Sequence, residues 1–126
     1  MKYVGLTSAE KLVMKTIWDG DHEMALSEIT RSVNDTYKKG WKPQTVSTFI
    51  SKLVQKKYVK MKREGRRIVY EILIPLEDYR AEQAEYFVDF WNQGSVADFL
   101  TAFFRKRKVT EADLEELRNR IDELDK

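Results

Sequence analysis

Gln44, Thr45 and Thr48 stand at the start of a helix-forming segment, directly behind Pro43. An amide and two hydroxyls at that spacing carry out recognition chemistry: they donate to and accept from the edges of nucleic-acid bases. Once Val46, Phe49, Ile50 and Leu53 are assigned to a buried stripe, Gln44, Thr45, Ser47, Thr48, Ser51 and Lys52 are left facing outward. A helix face that is merely solvated favours Glu, Lys and Arg, which have higher helix propensity. Short polar side chains instead let a helix backbone approach a groove closely. The bland alternative is an ordinary solvated face.

Around this segment the charge is concentrated. Lys38, Lys39, Lys42, Lys52, Lys56, Lys57, Lys60, Lys62, Arg63, Arg66 and Arg67 face a single acid, Glu64, giving a local charge of +10 in a chain whose net charge is +2. Such a cluster attracts a polyanion, and a helix followed by a hairpin is a shape that docks on duplex DNA. Bases are expected to be read by Gln44, Thr45 and Thr48. Trp41, Lys42, Ser47, Ser51, Lys52, Arg66 and Arg67 are the expected contacts to the DNA backbone. Arg66 and Arg67 at a hairpin tip can reach phosphates or a minor groove. Together with Lys60, Lys62 and Arg63 they can also be gatekeepers that blunt an exposed sheet edge, a compatible reading, but the adjacent reading helix favours phosphate contact. A protein-interaction module whose basic surface takes an acidic partner is the competing reading from another class.

Other chemistries are not written in the chain. It has no phosphate-binding loop, dinucleotide fingerprint, nucleophile elbow or zinc-protease motif. His22, the single histidine, lies between Asp21 and Glu23 in an expected turn, whereas tight transition-metal sites gather three or four ligands. No cofactor, metal or enzymatic activity is expected. With no cysteine there is no disulfide or thiolate site, which fits a reducing cytoplasm. No apolar run approaches the roughly 18 residues of a membrane span, and no signal-peptide core is expected at the N-terminus.

The elements that must hold these residues can be read in order. Thr7-Ser8-Ala9-Glu10 predicts a capping box opening a first helix that ends near Trp18, with Asp19-Gly20-Asp21 as its stop. Met24-Ala25-Leu26 suits a short strand, and Ser27 is the expected cap of a second helix. Pro43, whose missing N–H is not needed at the first helical position, opens a third helix running to about Lys57. Val59–Arg63 and Ile68–Ile74 alternate as strands around a turn at Glu64-Gly65-Arg66-Arg67. A long helix from Leu76 stops at Gly94, a shorter one follows, and Thr110 caps the last.

The fold class expected is mainly α with a small β-hairpin: a winged helix-turn-helix DNA-binding domain over 1–74 and a helical dimerisation domain over 75–126. Charge divides the same way, with a balance of +7 over 1–74 and −5 over 75–126. Phe87, Phe90, Trp91, Leu100, Phe103, Leu114, Leu117, Ile121 and Leu124 are too much apolar surface for a tail of this length to hide by itself. A homodimer is the natural sink.

Three blocks carry a resemblance. Leu6-Thr7-Ser8-Ala9-Glu10 with Val13-Met14 and Ile17-Trp18, then Trp41 with Pro43-Gln44-Thr45-Val46 through Tyr58-Val59, then Thr110 with Leu114-Glu115-Glu116-Leu117-Arg118, resemble the penicillinase and methicillin-resistance repressor family (BlaI/MecI). The resemblance implies a cytoplasmic homodimeric repressor on a palindromic operator, probed by a membrane-bound β-lactam sensor/protease and controlling β-lactam resistance genes. It also implies inactivation by cleavage in the dimerisation region, between an Asn and a Phe. Alignment back from Val109-Thr110 puts that bond at Ala102-Phe103, with Ala in place of the Asn. Gln44 and Ser47 stand where relatives often carry Lys and Arg, which implies a different operator. The cysteine cluster of copper-responsive relatives is missing.

Overall fold

A computed structural model describes residues 2–125. In chain order these form α1 (Ser8–Asp19), α2 (Leu26–Tyr37), α3 (Pro43–Gln55), β1 (Val59–Glu64), β2 (Arg67–Ile72), α4 (Leu76–Asn92), α5 (Val96–Lys106) and α6 (Glu111–Leu124). The expected winged helix-turn-helix order, mainly α with one antiparallel hairpin, is the architecture observed.

The helix starts follow local chemistry. The Thr7 hydroxyl accepts from the Glu10 amide at 3.2 Å while the Glu10 carboxylate accepts from the Thr7 amide at 3.0 Å, the reciprocal box the spacing predicts. Thr110 and Asp113 repeat it at α6, with both bonds at 3.1 Å. The second helix differs from expectation. Its N-cap is Ala25, not Ser27: the Glu28 carboxylate accepts from the Ala25 amide at 3.1 Å, one half of a capping box, and no side chain caps the first-turn amides. With Leu26 already helical, the strand expected at Met24–Leu26 shrinks to one bridge from Met24 to Tyr70.

α3 stops two residues earlier than expected. Lys57 takes φ +70°, its amide returns to the Val54 carbonyl at 3.1 Å, and that of Tyr58 to Leu53 at 3.0 Å. This pair of hydrogen bonds satisfies the Leu53 and Val54 carbonyls and turns the chain into β1. The hairpin pairs Glu64 with Arg67, leaving Gly65 and Arg66 as the tip. Gly65 sits at φ +65°, a conformation that costs a residue with a side chain but not glycine.

The chain packs as two compact units, Met1–Gln83 and Ala84–Lys126. In the first, Val13, Met14, Ile17, Ile29, Val33, Val46, Ile50 and Leu53 make the core between α1, α2 and α3. Tyr58, fully buried, donates its hydroxyl to the Val4 carbonyl. The Trp18 indole N–H donates to the Ile74 carbonyl at 2.9 Å, fixing the chain as it leaves the hairpin. Tyr79 on α4 closes an aromatic cluster, 5.0 Å from Trp18 and 5.8 Å from Tyr58 between ring centroids.

The second unit is different in kind. No residue of α4, α5 or α6 is fully buried. Phe87 meets Phe99 edge-on at 5.8 Å, yet Phe90, Trp91 and Leu124 remain 58%, 64% and 84% exposed.

Candidate nucleic-acid interface

The turn between α2 and α3 sets the angle of the candidate reading helix. The Asn34 side chain accepts from the Trp41 amide at 3.0 Å and donates to the Trp41 carbonyl at 2.8 Å, clamping both polar groups of one residue. The Trp41 ring packs on Phe49 with centroids 5.0 Å apart, and the Lys39 ammonium lies over the Trp41 ring at 5.7 Å. Phe49 is therefore only half-buried, and Trp41 braces the helix from outside the core. Nothing in the hydrophobic pattern marks Asn34. The signal available was an Asn just before the turn residues Lys38 to Gly40.

On α3 the sorting of faces follows the sequence. Val46, Ile50 and Leu53 are buried, whereas Gln44, Thr45, Thr48, Ser51 and Lys52 are exposed. Ser47 is half-buried at the margin, not on the open face, because the helix rotation carries it toward the neighbouring packing. Thr48 donates its hydroxyl to the Gln44 carbonyl at 3.1 Å. That leaves its oxygen lone pairs and methyl outward, fit to accept a hydrogen bond or meet a thymine methyl.

One property of α3 escaped sequence reasoning though it was written there. Glu10, Glu28, Glu77, Asp98 and Glu111 each sit in the first turn of another helix, while α3 has no acid in its first turn. Nor does Lys42, its N-cap, supply a side-chain hydrogen bond. The positive end of the α3 dipole and its leading amides are thus left for an external anion, as a phosphate-binding helix requires.

The basic cluster is smaller in space than along the chain. Lys56 is tied to Glu10, Lys60 to Glu71 at 3.1 Å, Lys62 to Glu23 at 2.8 Å, and Arg67 to Glu28. Burial opposes ionisation of the Glu10 carboxyl, but Lys56 and the Thr7 amide outweigh it and hold the group below the usual carboxylate range. Lys56 therefore belongs to the scaffold. Glu28 is pulled down to about 2, first by the His22 ring, then by the Ala25 amide and Arg67. His22, bonded to Asp21 and Glu28 at 2.6 Å each, is pushed above its ordinary value by those two carboxylates, Glu28 first. Its place is a hydrogen-bonded brace beneath the wing, and no group of potential metal ligands occurs among the described residues.

Among the described residues Lys42, Lys52, Lys57, Arg63 and Arg66 have no carboxylate partner. Two lie on or beside the outward face of α3 and two at the wing, so free cations flank the small polar residues. Arg66 occupies the tip itself, and Arg67, its neighbour, leans back onto α2. This arrangement matches a duplex: a helix to enter a groove, an arm to meet the backbone beside it.

The family model described as penicillinase repressor matches residues 6–123. The chain belongs to the penicillinase repressor family. Membership makes it a transcriptional repressor with a DNA-binding fold, not an enzyme. The methicillin resistance regulatory protein MecI of Staphylococcus aureus (strain N315) is 26% identical over 114 residues, covering 90% of each chain. The penicillinase repressor of Bacillus licheniformis is 25% identical over 118 residues, covering 94% of this chain and 90% of its own. The solution structure of the Bacillus licheniformis BlaI monomeric form in complex with the blaP half-operator is similar at 31% identity with a TM-score of 0.52. It covers 62% of this chain and 92% of that one. No helix among the described residues is long and apolar enough to cross a membrane.

Proposed function

We propose that this penicillinase repressor family member acts as a homodimer on a palindromic operator, with α3 in the major groove and the hairpin on the flanking phosphates. The carrying observation is the N-terminal end of α3, where exposed Gln44, Thr45 and Thr48 share the one helix start among the described residues that lacks a first-turn carboxylate. These three read bases. Trp41, Lys42, Ser47, Ser51, Lys52, Arg66 and Arg67 hold the backbone, Arg67 after exchanging Glu28 for a phosphate. That a BlaI relative is solved in complex with a half-operator supports operator binding as the activity.

Residues 1–74 serve DNA binding and residues 75–126 serve dimerisation. Phe87, Phe90, Trp91, Leu100, Phe103, Leu114, Leu117, Ile121 and Leu124 form the interface. What supports this is that all but Leu100, which is half-buried, stay exposed in the single chain. Large apolar side chains exposed in such number mark an association site. The genes controlled are β-lactam resistance genes, in keeping with the relatives' names. A membrane-bound β-lactam sensor/protease relieves repression by causing cleavage at Ala102-Phe103, a bond in α5. Cutting there separates α6 from the rest of the interface, and two unlinked heads lose the gain of binding half-sites together.

Gel shifts against the upstream promoter region, with and without excess random duplex, test the operator reading. A complex that survives the competitor is expected, and one that dissolves in it would remove sequence specificity. Mass spectrometry of the chain from cells exposed to a β-lactam tests the cleavage. A fragment ending at Ala102 is expected, and an intact chain accompanied by derepression would rule it out.

A further inference from the structure

On the side of the first unit formed by α1 and the first turns of α4, five large side chains converge without completing a core. Leu6, Leu12, Trp18, Leu76 and Tyr79 are each only half-buried, and they floor an open cavity of about 610 Å³. That volume falls within the range of about 300–1,000 Å³ usual for small-molecule sites. Trp18 and Tyr79 stand 5.0 Å apart at a tilt of 36°, and the indole N–H is already spent on Ile74. The floor is therefore aromatic and aliphatic, with the Tyr79 hydroxyl as its one polar group. A flat apolar body fits it.

The rim has the opposite character. Lys11, Lys15 and Arg80 line the same cavity and all are exposed. Lys15 is held by both oxygens of Asp19 at 2.7 Å. Arg80 lies near enough to oppose the charge on Lys15. Neither Lys11 nor Arg80 has a carboxylate partner among the described residues. Two uncompensated cations thus stand over an aromatic floor, with the Tyr37 hydroxyl at the edge and without a hydrogen-bond partner among the described residues.

The geometry points to a binding site for a small aromatic carboxylate, its ring on Trp18 and Tyr79 and its charge on Arg80 and Lys11. A guanidinium presents a planar fork that matches a carboxylate with two parallel bonds. An uncharged apolar ligand would leave the rim unanswered, and an inorganic anion would leave the floor wet. The site shares no residue with the DNA contacts proposed above, so either can fail alone.

The test is a titration of the full-length chain with 2-naphthoate, with 2-naphthamide as neutral isostere, followed by two-dimensional amide and indole NMR. Saturable shifts are expected at the Trp18 indole and at amides of residues 11–15 and 76–83. Affinity should fall roughly five-fold for the amide and for Arg80→Gln, the scale of a partly exposed ion pair. Because the acid–amide comparison uses the unaltered chain, it stands whatever the variant does to folding. Equal affinity of acid and amide would overturn the site, as would shifts confined to the apolar residues of 84–126. Pocket signals that follow protein dilution and ignore the probe would assign the groove to a second copy and also overturn it.

Discussion

Replacing Arg66 by Ala measures whether the hairpin tip meets phosphate. Of the eleven cations between Lys38 and Arg67, four are already answered by carboxylates: Lys56, Lys60, Lys62 and Arg67. The charged backbone contacts proposed in each protomer are Lys42 and Lys52 at α3 and Arg66 and Arg67 at the hairpin. If each meets one phosphate, a dimer neutralises about eight. At about −0.9 per phosphate, log affinity against log salt then has a slope of roughly −7. Arg66→Ala removes one contact per protomer and should flatten the slope to roughly −5, on operator and random duplex alike. Arg67→Ala should change it less, since that guanidinium must give up Glu28 before it gains a phosphate. The assay is fluorescence anisotropy with labelled duplex over a salt series. A wild-type slope near zero, or one that Arg66→Ala leaves unchanged, would refute the reasoning.

Three further outcomes are expected. Gln44→Ala or Thr45→Ala should cost roughly 1–3 kcal/mol on the operator and little on random DNA; equal losses on both would move these residues to a positioning role. A chain ending at Gln83 should fold as a monomer with weak operator affinity in sedimentation and anisotropy. One ending at Ile74 should be less stable by about 2 kcal/mol, because Tyr79 leaves the Trp18–Tyr58 cluster; equal denaturant midpoints would contradict this. Thermal melts should fall as pH drops from 5 toward 2. Glu10 and Glu28 are held below their ordinary value, so their stabilisation is full above about 4.5 and lost as they protonate. His22, pushed up, works the other way: its contribution is full below about 6.5 and lost as pH rises through its raised value. A melting temperature flat between pH 5 and pH 2 would sink the carboxylate argument.

Much of this molecule is legible without coordinates because its instructions are local. Thr7 with Glu10, and Thr110 with Asp113, announce helix starts three residues apart, and both boxes form. Pro43 marks the start of α3, and the spacing of Val46, Ile50 and Leu53 determines which of its faces is left outward. Gly65 between two alternating strands marks the hairpin tip. Such signals reach no further than a turn or two, which is the range over which backbone geometry alone relates side chains. Ala25 shows where even local reading slips. A hydroxyl is the usual cap, which points to Ser27, but the helix starts at Leu26 with only the Glu28 carboxylate holding the amide of its N-cap, Ala25.

Pairs distant along the chain belong to the tertiary structure. Lys56 reaches Glu10 across 46 residues and Arg67 reaches Glu28 across 39, so charges that add up along the segment are partly cancelled in space. Asn34 finds the backbone of Trp41 only because α2 and α3 cross there. The cavity over Trp18 exists because α4 returns to α1 after the hairpin, a closure that periodicity cannot express. Which residues are apolar, and which are charged, the sequence determined by itself. Which charges stay free for a ligand was decided by packing, since an ion pair depends on distance through space and the chain order does not contain it.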